Sequence, residues 1–372
     1  MKTSFKIATL IGIPIKIHFS LIIILGLFAW AFSVDTFSVF GFLIGFGGLP
    51  ISTLAQLLLG ALIAVLLFIC VLLHELGHSY VTQKLGYKIN SITLFIFGGI
   101  SNSEEIPRNP KEEIKIAIVG PAVSLLIGSI LYVFYVLIKP YYGTIPINAI
   151  IILLGSLSFY NLILAGFNLI PAFPIDGGRV LRATFALKMN YQRATKIASN
   201  IAKGVAIIMA VFGIFFNIWL ILIAIFIFFG ASQEEKSLQI SSALENKKVK
   251  DVMRKDFESV SPDITIQKLY DIIQNKRYLS LPVLKDEKVV GVVSIDDIKK
   301  VDRDKWDNAL VEDVMNNNFS TVSSDEDAFS AFKKLIRKHI DLLIVKDADK
   351  SLGVISRDDI LKDIQISGLN KI

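Results

Sequence analysis

The sequence predicts a polytopic α-helical membrane protein of about six transmembrane helices, with a short membrane-associated β element, followed by a soluble α/β domain. Of the 372 residues, 53% are hydrophobic, and the mean hydropathy is +0.59, which is high for a soluble protein. Nearly all long apolar runs fall within residues 1–232. Residues 233–372 are instead rich in lysine, aspartate and glutamate and contain an internal repeat.

Six apolar segments are candidates for membrane spans, because a helix of about 20 residues crosses the hydrocarbon core of a bilayer. They lie near residues 17–34, 56–80, 113–138, 148–170, 195–213 and 215–231. An even number of spans places both termini on one side of the membrane.

Lysine and arginine decide which side that is. They concentrate in residues 1–16, 81–112 and 171–196, whereas the opposite connections carry only Lys139. The positive-inside rule therefore predicts a multi-pass cell-membrane protein whose termini and soluble domain face the cytosol.

Two apolar segments do not have the pattern of a spanning helix. Residues 89–101 are rich in β-branched and aromatic side chains and contain Gly98-Gly99 near their end, which predicts a strand or hairpin. Such a strand could offer an edge to a peptide or simply cover a site. Residues 36–50 are glycine-rich and are expected to lie at the outer interface or to enter the membrane as a loop.

His74, Glu75 and His78 form an H-E-x-x-H pattern directly after the apolar run from Leu57 to Leu73. Histidines four residues apart share one helix face, so both can bind one Zn²⁺ while the glutamate acts as a general base. The same pattern also occurs on solvated helix faces. A solvated face does not explain a charge behind a membrane-type run, where it costs about 2.5–3.5 kcal/mol. We therefore expect a metal site in a membrane helix.

A catalytic zinc takes three protein ligands, and Asp176 is the candidate for the third. It follows an apolar span, in a segment where Pro171 and Pro174 break the helix and two glycines after the aspartate allow a tight bend. In the alternative interpretation, Asp176 only caps the next helix. Asn168, eight residues earlier, could donate a hydrogen bond to a substrate carbonyl.

These two patterns together resemble the motifs of the site-2 protease family of intramembrane zinc metalloproteases, over about residues 10–232. The resemblance implies three zinc ligands, His74, His78 and Asp176. It also implies that Glu75 is the catalytic base and that Asn168 positions the substrate in catalysis.

The resemblance extends to two glycine features. Gly98 and Gly99 match a glycine pair on the family's strand before the third helix and are expected to bind substrate. Gly120-Pro121 is similar to a recurrent glycine-proline feature of the family's helices, which we interpret as packing.

The implied activity is hydrolysis of peptide bonds within or near transmembrane segments of membrane-protein substrates, inside the lipid bilayer, with one Zn²⁺ per chain. A helical substrate must partly unwind first, because its carbonyls are held in i→i−4 hydrogen bonds.

The soluble part contains a repeat with an offset of 62 residues. Residues 249–253 (VKDVM) recur as 311–315 (VEDVM), and residues 291–298 (GVVSIDDI) recur as 353–360 (GVISRDDI). Two pairs with the same offset indicate a duplicated unit, which we predict to be helix, strand, turn, strand and helix.

The repeat resembles a tandem pair of CBS domains, which implies clefts for an adenine nucleotide such as AMP or ATP. On this resemblance Ser294 and Ser356 face phosphate, while Asp297 and Asp359 hold ribose hydroxyls. In the alternative interpretation, each serine and aspartate form a helix N-cap without a ligand. Many CBS pairs dimerise, so a homodimer through this unit is also compatible with the sequence.

The predicted boundaries give a transmembrane metalloprotease domain, a linker and two CBS domains, at residues 1–232, 233–248, 249–308 and 309–372. A net charge of +6 without a basic cluster argues against nucleic-acid binding. Two other functions compete with proteolysis. A CBS-regulated transporter or channel would need polar residues along several spans, and a zinc-binding scaffold would not need Glu75.

Overall fold

The computed structural model describes residues 4–96, 98–103, 109–276, 278–286, 288–338, 340–347 and 350–369. They form two compact units, Met1–Lys236 and Ser237–Ile372. The finer boundaries at residues 232 and 248 stay predictions.

The first unit is mainly helical. Its helices are α1 (Ser20–Val34), α2 (Thr53–Lys84), α3 (Pro110–Ile138), α4 (Ile145–Asn168), α5 (Asp176–Ala186), α6 (Tyr191–Phe216) and α7 (Ile218–Ala243). Within the described residues, five of them (α2, α3, α4, α6 and α7) are long and apolar enough to cross a membrane.

The first predicted span is shorter than expected. Helix α1 has 15 residues, fewer than the ~20 that a perpendicular span needs. The reason is that Ile13–His18 forms a strand, in which buried Ile13 and Ile15 alternate with partly exposed neighbours at the period of two of a β-strand. The sequence analysis did not predict this strand.

A four-stranded sheet accompanies the helices of the first unit. It contains β1 (Ser4–Leu10), β2 (Ile13–His18), β5 (Ile89–Phe95) and β6 (Gly98–Ser103), in the order β1-β2-β5-β6. The hairpin predicted at residues 89–101 is confirmed, because β5 and β6 pair antiparallel and β2 pairs parallel to β5. Strand β6 therefore forms one edge of the sheet.

Residues 36–50 contain a second, small hairpin. Its strands are β3 (Phe37–Val39) and β4 (Phe42–Ile44), and Ile44 and Phe46 are fully buried beside helices α2 and α4. Large apolar side chains on the helices, such as Phe215, Phe216 and Trp219, are exposed on the surface. Exposed apolar faces of this kind are expected where helices contact lipid.

The second unit is α/β. Its elements are α8 (Val249–Val252), α9 (Ile266–Lys276), β7 (Ser280–Lys285), β8 (Lys288–Ser294), α10 (Ile295–Ile298), α11 (Val311–Val314), β9 (Thr321–Val322), α12 (Ala328–Lys338), β10 (Leu342–Asp347), β11 (Lys350–Ser356) and α13 (Arg357–Leu369). The strands form a β7-β8 pair and a β11-β10-β9 sheet.

The two halves of this unit exchange their first segments. Val249 and Val252 lie in the core formed by α12, β10 and β11, and Arg254 pairs with Val354 on β11. Reciprocally, the segment that begins the second repeat packs on the first, where Asn316 pairs with β8. Each half is thus completed by residues from the other repeat.

Candidate active site

Three side chains from two helices meet at one point. The Nε2 atoms of His74 and His78 on α2 lie 3.1 Å apart. Oδ2 of Asp176, the first residue of α5, lies 3.3 Å from the His74 nitrogen and 3.2 Å from the His78 nitrogen. All three side chains are at most 14% exposed. His78 and Asp176, 98 positions apart in the sequence, are therefore neighbours in space.

The spacing of these atoms fits a zinc ion. Zinc binds histidine nitrogen and carboxylate oxygen at about 2.0–2.2 Å in tetrahedral geometry, which separates two donor atoms by about 3.3 Å. The observed separations of 3.1–3.3 Å agree with that value. Three ligands leave the fourth position for water or substrate, as in catalytic rather than structural zinc sites.

Helix α3 orients both imidazoles. Nδ1 of His78 lies 2.7 Å from the carbonyl oxygen of Ile116, so this nitrogen carries the proton and donates it. Nδ1 of His74 lies 2.9 Å from Oγ of the buried Ser124. These contacts leave both Nε2 atoms facing Asp176, which is how outer contacts set the tautomer of metal-binding histidines.

Gly120 on α3 makes room for the site. A Cβ atom at this position would overlap the Nε2 atoms of His78 and His74. The interpretation of Gly120-Pro121 as packing alone is therefore incomplete, because Gly120 borders the donor atoms. Its signal in the sequence, a glycine inside an apolar helix, is common in membrane helices and carries little information.

The turn before α5 presents Asp176. Gly177 and Gly178 approach the backbone of residues 169–173 so closely that a Cβ atom on either would collide with it. The N-cap position of α5 belongs to Ile175, and the Asp176 carboxylate faces the histidines instead of capping the helix. Burial by itself would raise the pKa of Asp176, but its contacts with His74 and His78 lower it, so the carboxyl group is ionised.

Glu75 lies against strand β6. A Cβ atom at Gly99 would overlap the Glu75 side chain, so glycine at this position lets the strand backbone pass next to the carboxylate. Gly98 has a φ of +119°, a conformation that other residues rarely adopt, and open space around it. Ser79 of α2 and Ser101 of β6 approach to 3.4 Å between their Oγ atoms.

Asn168 is not joined to the three ligands by any contact among the described residues. It is the last residue of α4, and its side-chain amide donates to the carbonyl oxygen of Leu164 at 3.0 Å.

The serines and aspartates of the second unit form two separate, equivalent arrangements. The Ser294 hydroxyl donates to the Asp297 carboxylate at 2.6 Å and accepts the Asp297 backbone N–H at 3.3 Å. Ser356 and Asp359 repeat these bonds at 2.7 and 3.1 Å. Both pairs are therefore capping boxes, and their polar groups already have partners.

The family models for peptidase family M50 match residues 62–152 and 137–211, and those for the CBS domain match residues 249–304 and 311–366. A zinc metalloprotease of Methanocaldococcus jannaschii is 37% identical over 100% of this chain and 99% of its own length. The chain belongs to peptidase family M50.

A second relative and one solved structure are also similar to this chain. A Synechocystis protein that carries a zinc-metalloprotease name is 31% identical over 99% of this chain and 97% of its own. The solved structure of a site-2 protease from Methanocaldococcus jannaschii is 39% identical, covers 62% of this chain and 95% of its own, and has a TM-score of 0.43.

This M50 protein is therefore an integral membrane zinc metalloprotease with a CBS pair, as the sequence predicted. The competing hypothesis of a CBS-regulated transporter or channel is not confirmed. The sequence analysis missed Ser124, for which a serine inside an apolar span was a usable signal, and it interpreted Gly120 as packing alone.

Proposed function

We propose that this protein is an intramembrane endopeptidase that hydrolyses peptide bonds within or near the transmembrane segments of membrane-protein substrates. The observation that supports this most is the position of the donor atoms. His74, His78 and Asp176 converge near one end of α2, a 32-residue apolar helix. Ionisable side chains in a membrane helix are costly without a partner, and a shared metal ion would provide one.

In this proposal His74, His78 and Asp176 hold one Zn²⁺, and Glu75 is the general base. When bound, the metal acidifies water and polarises the scissile carbonyl. Glu75 accepts a proton from the attacking water and transfers it to the leaving amine. Its place beside β6 supports this role, because a substrate backbone on that strand would pass next to the carboxylate.

Strand β6 is the proposed substrate-binding edge. It has a paired neighbour only on the β5 side among the described strands, so its other edge can accept an extended peptide. Gly98 and Gly99 keep side chains away from that path. Asn168 is proposed to donate to the substrate carbonyl, which requires its amide to exchange the Leu164 carbonyl for the substrate.

The test is cleavage of a single-span model substrate by purified, detergent-solubilised protein, with zinc content measured in parallel. Wild type and Glu75→Gln should both hold about one zinc per chain. The cleavage rate of Glu75→Gln should be lower than that of wild type by a factor of at least about 100. Zinc in both without cleavage by either would contradict the proposed substrate class. Absence of zinc from both would contradict the metalloprotease site.

For the second unit we propose that an adenine nucleotide regulates the protease and that it binds at Ser356 and Asp359. Arg254, exchanged from the other repeat, lies 3.7 Å from Asp359 and stacks on the Tyr278 ring at 5.2 Å. Its Nε atom is buried and has no hydrogen-bond partner among the described residues. The equivalent position beside Ser294 is Asn316. Among the described residues, the exchanged segment therefore brings a guanidinium for phosphate to the cleft at Ser356 and Asp359 and an amide to the cleft at Ser294 and Asp297.

Equilibrium binding of ATP and AMP to the full-length protein tests this. Arg254→Met should weaken binding at least tenfold, whereas Asn316→Ala should change it less than twofold. Equal effects of the two substitutions would contradict the choice of cleft, and no binding by wild type would leave a structural or dimerising role for the pair.

The cytosolic location of the termini and of the second unit, and a homodimer through it, are the remaining parts of the proposal. The distribution of lysine and arginine supports the orientation. Lys299 is exposed, and Cys70, the single cysteine, is buried. A Lys299→Cys variant should react with an impermeant maleimide in inside-out vesicles and not in intact cells. Light scattering of the purified protein measures the oligomeric state.

A further inference from the structure

A buried ion cluster holds the helix that carries Asp176. Arg182 of α5 is 2% exposed, and Glu113 of α3 is 4% exposed. The Arg182 guanidinium donates to Glu113 through Nε at 2.9 Å and through Nη2, and to Glu234 of α7 through Nη1 at 2.7 Å. The Tyr191 hydroxyl donates to the second Glu113 oxygen at 2.9 Å. One guanidinium therefore joins three helices.

The same guanidinium reaches the turn that precedes Asp176. It lies over the Phe173 ring at 4.9 Å, three residues before the aspartate, and over the Tyr191 ring at 5.0 Å. Arg182 itself follows Asp176 by six residues, about 9 Å along a rigid helix. The Asp176 segment is thus held on both sides of the carboxylate.

Helix α7 contacts this segment at a second point. A Cβ atom at Gly230 would overlap the ring of Pro174, so the helix backbone packs directly on the turn. Gly230 and Glu234 are one helical turn apart and face the same element. Two adjacent contacts on one face of α7 thus hold both the turn and α5.

We propose that Arg182 is a positioning residue for the third zinc ligand: through Glu113 and Glu234 it fixes α5 so that Asp176 stands within 3.2–3.3 Å of both histidine nitrogens. This inference rests on the proposed zinc-binding role of Asp176. Arg182 does not contact the ligands, and it acts through the helix it anchors. Burial by itself would lower the pKa of Arg182, but Glu113 and Glu234 raise it, so the group stays charged.

The experiment compares two neighbouring carboxylates of α7 in the full-length protein. Glu234→Gln removes one partner of Arg182. Glu235→Gln removes an ion pair of similar length, 2.8 Å to Lys203, which joins α7 to α6 without touching α5. The readouts are the zinc dissociation constant, from competition with a chelator, and the unfolding temperature of the zinc-free protein.

We expect Arg182→Met and Glu234→Gln to weaken zinc binding at least tenfold, while Glu235→Gln stays within twofold of wild type. Arg182→Lys keeps the charge but not the forked geometry and should fall between these values. A merely structural cluster would lower the unfolding temperature and leave the zinc dissociation constant unchanged, which would overturn the inference.

Gly230→Ala is the second variant, because a buried charge left by Arg182→Met could prevent folding. It should also weaken zinc binding by displacing Pro174. Wild-type zinc affinity in both Gly230→Ala and Glu234→Gln would overturn the positioning role. Failure of the wild type to bind zinc would instead contradict the proposed function itself.

Discussion

The site on α2 and the capping boxes of the second unit begin from similar sequence signals and differ in structure. Both are short patterns of polar residues beside apolar segments. In the first unit, His74 and His78 of α2 and Asp176 of α5 bring their Nε2 and Oδ2 atoms within 3.1–3.3 Å of one another. In the second unit, Ser294 and Asp297 satisfy each other within one turn of chain.

This difference distinguishes a motif that indicates a bound ligand from one that does not. A pattern whose polar atoms are satisfied locally is stable without a ligand, so the capping geometry by itself does not indicate one. When acceptor atoms from distant parts of the chain converge in a buried place, they need a common ligand such as a metal ion, because buried polar atoms without a partner are costly.

Gly120→Ala should weaken zinc binding by about 100-fold or more, because the added Cβ would overlap the donor nitrogens. Gly204→Ala on α6 is the matched control, since a Cβ there meets nothing within 4 Å. Zinc content of both variants, measured by atomic absorption, checks this. Normal zinc in Gly120→Ala would mean that the ion binds elsewhere.

Asp176→Asn should weaken zinc binding about 10- to 100-fold and reduce cleavage with it, whereas Glu75→Gln should reduce cleavage and keep the zinc. The split follows from their geometry, because Asp176 meets the histidine nitrogens and Glu75 faces β6. Chelator competition beside substrate cleavage measures both properties. Equal loss of zinc from the two variants would contradict the assigned roles.

Ser294→Ala and Ser356→Ala should each lower the free energy of unfolding of the second unit by about 1 kcal/mol, even without nucleotide. Each substitution removes a capping hydroxyl that makes two hydrogen bonds with the same aspartate. Urea unfolding can be followed through Trp306 fluorescence after Trp30 and Trp219 are replaced by phenylalanine. Ser294→Thr should retain most of the stability, and unchanged stability in both alanine variants would rule out the capping role.

Asp297 should give the stability of the second unit a small pH dependence. Burial by itself would raise its pKa, but hydrogen bonds from Lys300 and Ser294 lower it below its ordinary value. An ionised Asp297 therefore stabilises the fold above the unfolded pKa of about 3.9, and this stabilisation is lost as the pH falls through the lower folded value. Urea unfolding between about pH 6 and pH 3 should show a weaker acid dependence in Asp297→Asn than in wild type.

Much of the fold could be predicted from sequence, because long apolar runs, the 89–101 hairpin and the 62-residue repeat are periodic or local signals. The convergence of His74, His78 and Asp176 was also expected, since the H-E-x-x-H pattern and the Asp-Gly-Gly turn restrict the possible chemistry.

The supporting contacts could not be predicted from sequence. The Ile116 carbonyl is a backbone group and has no sequence signature, and Gly120 resembles any small residue of a membrane helix. Arg182 and Glu234 lie far apart in sequence and carry ordinary charges, so only the packing of α5 on α7 reveals their pairing. The short α1 was missed because apolar character does not distinguish a strand from the start of a helix.

The exchange of segments in the second unit limits how this part of the protein can be cut or transferred. Val249 and Val252 lie in the core of the second repeat, and residues 311–316 complete the first repeat. A cut between the repeats would deprive both halves of part of their interior. The duplicated pair, and not the single repeat, is therefore the smallest piece that can be inherited, grafted or lost as a folded whole.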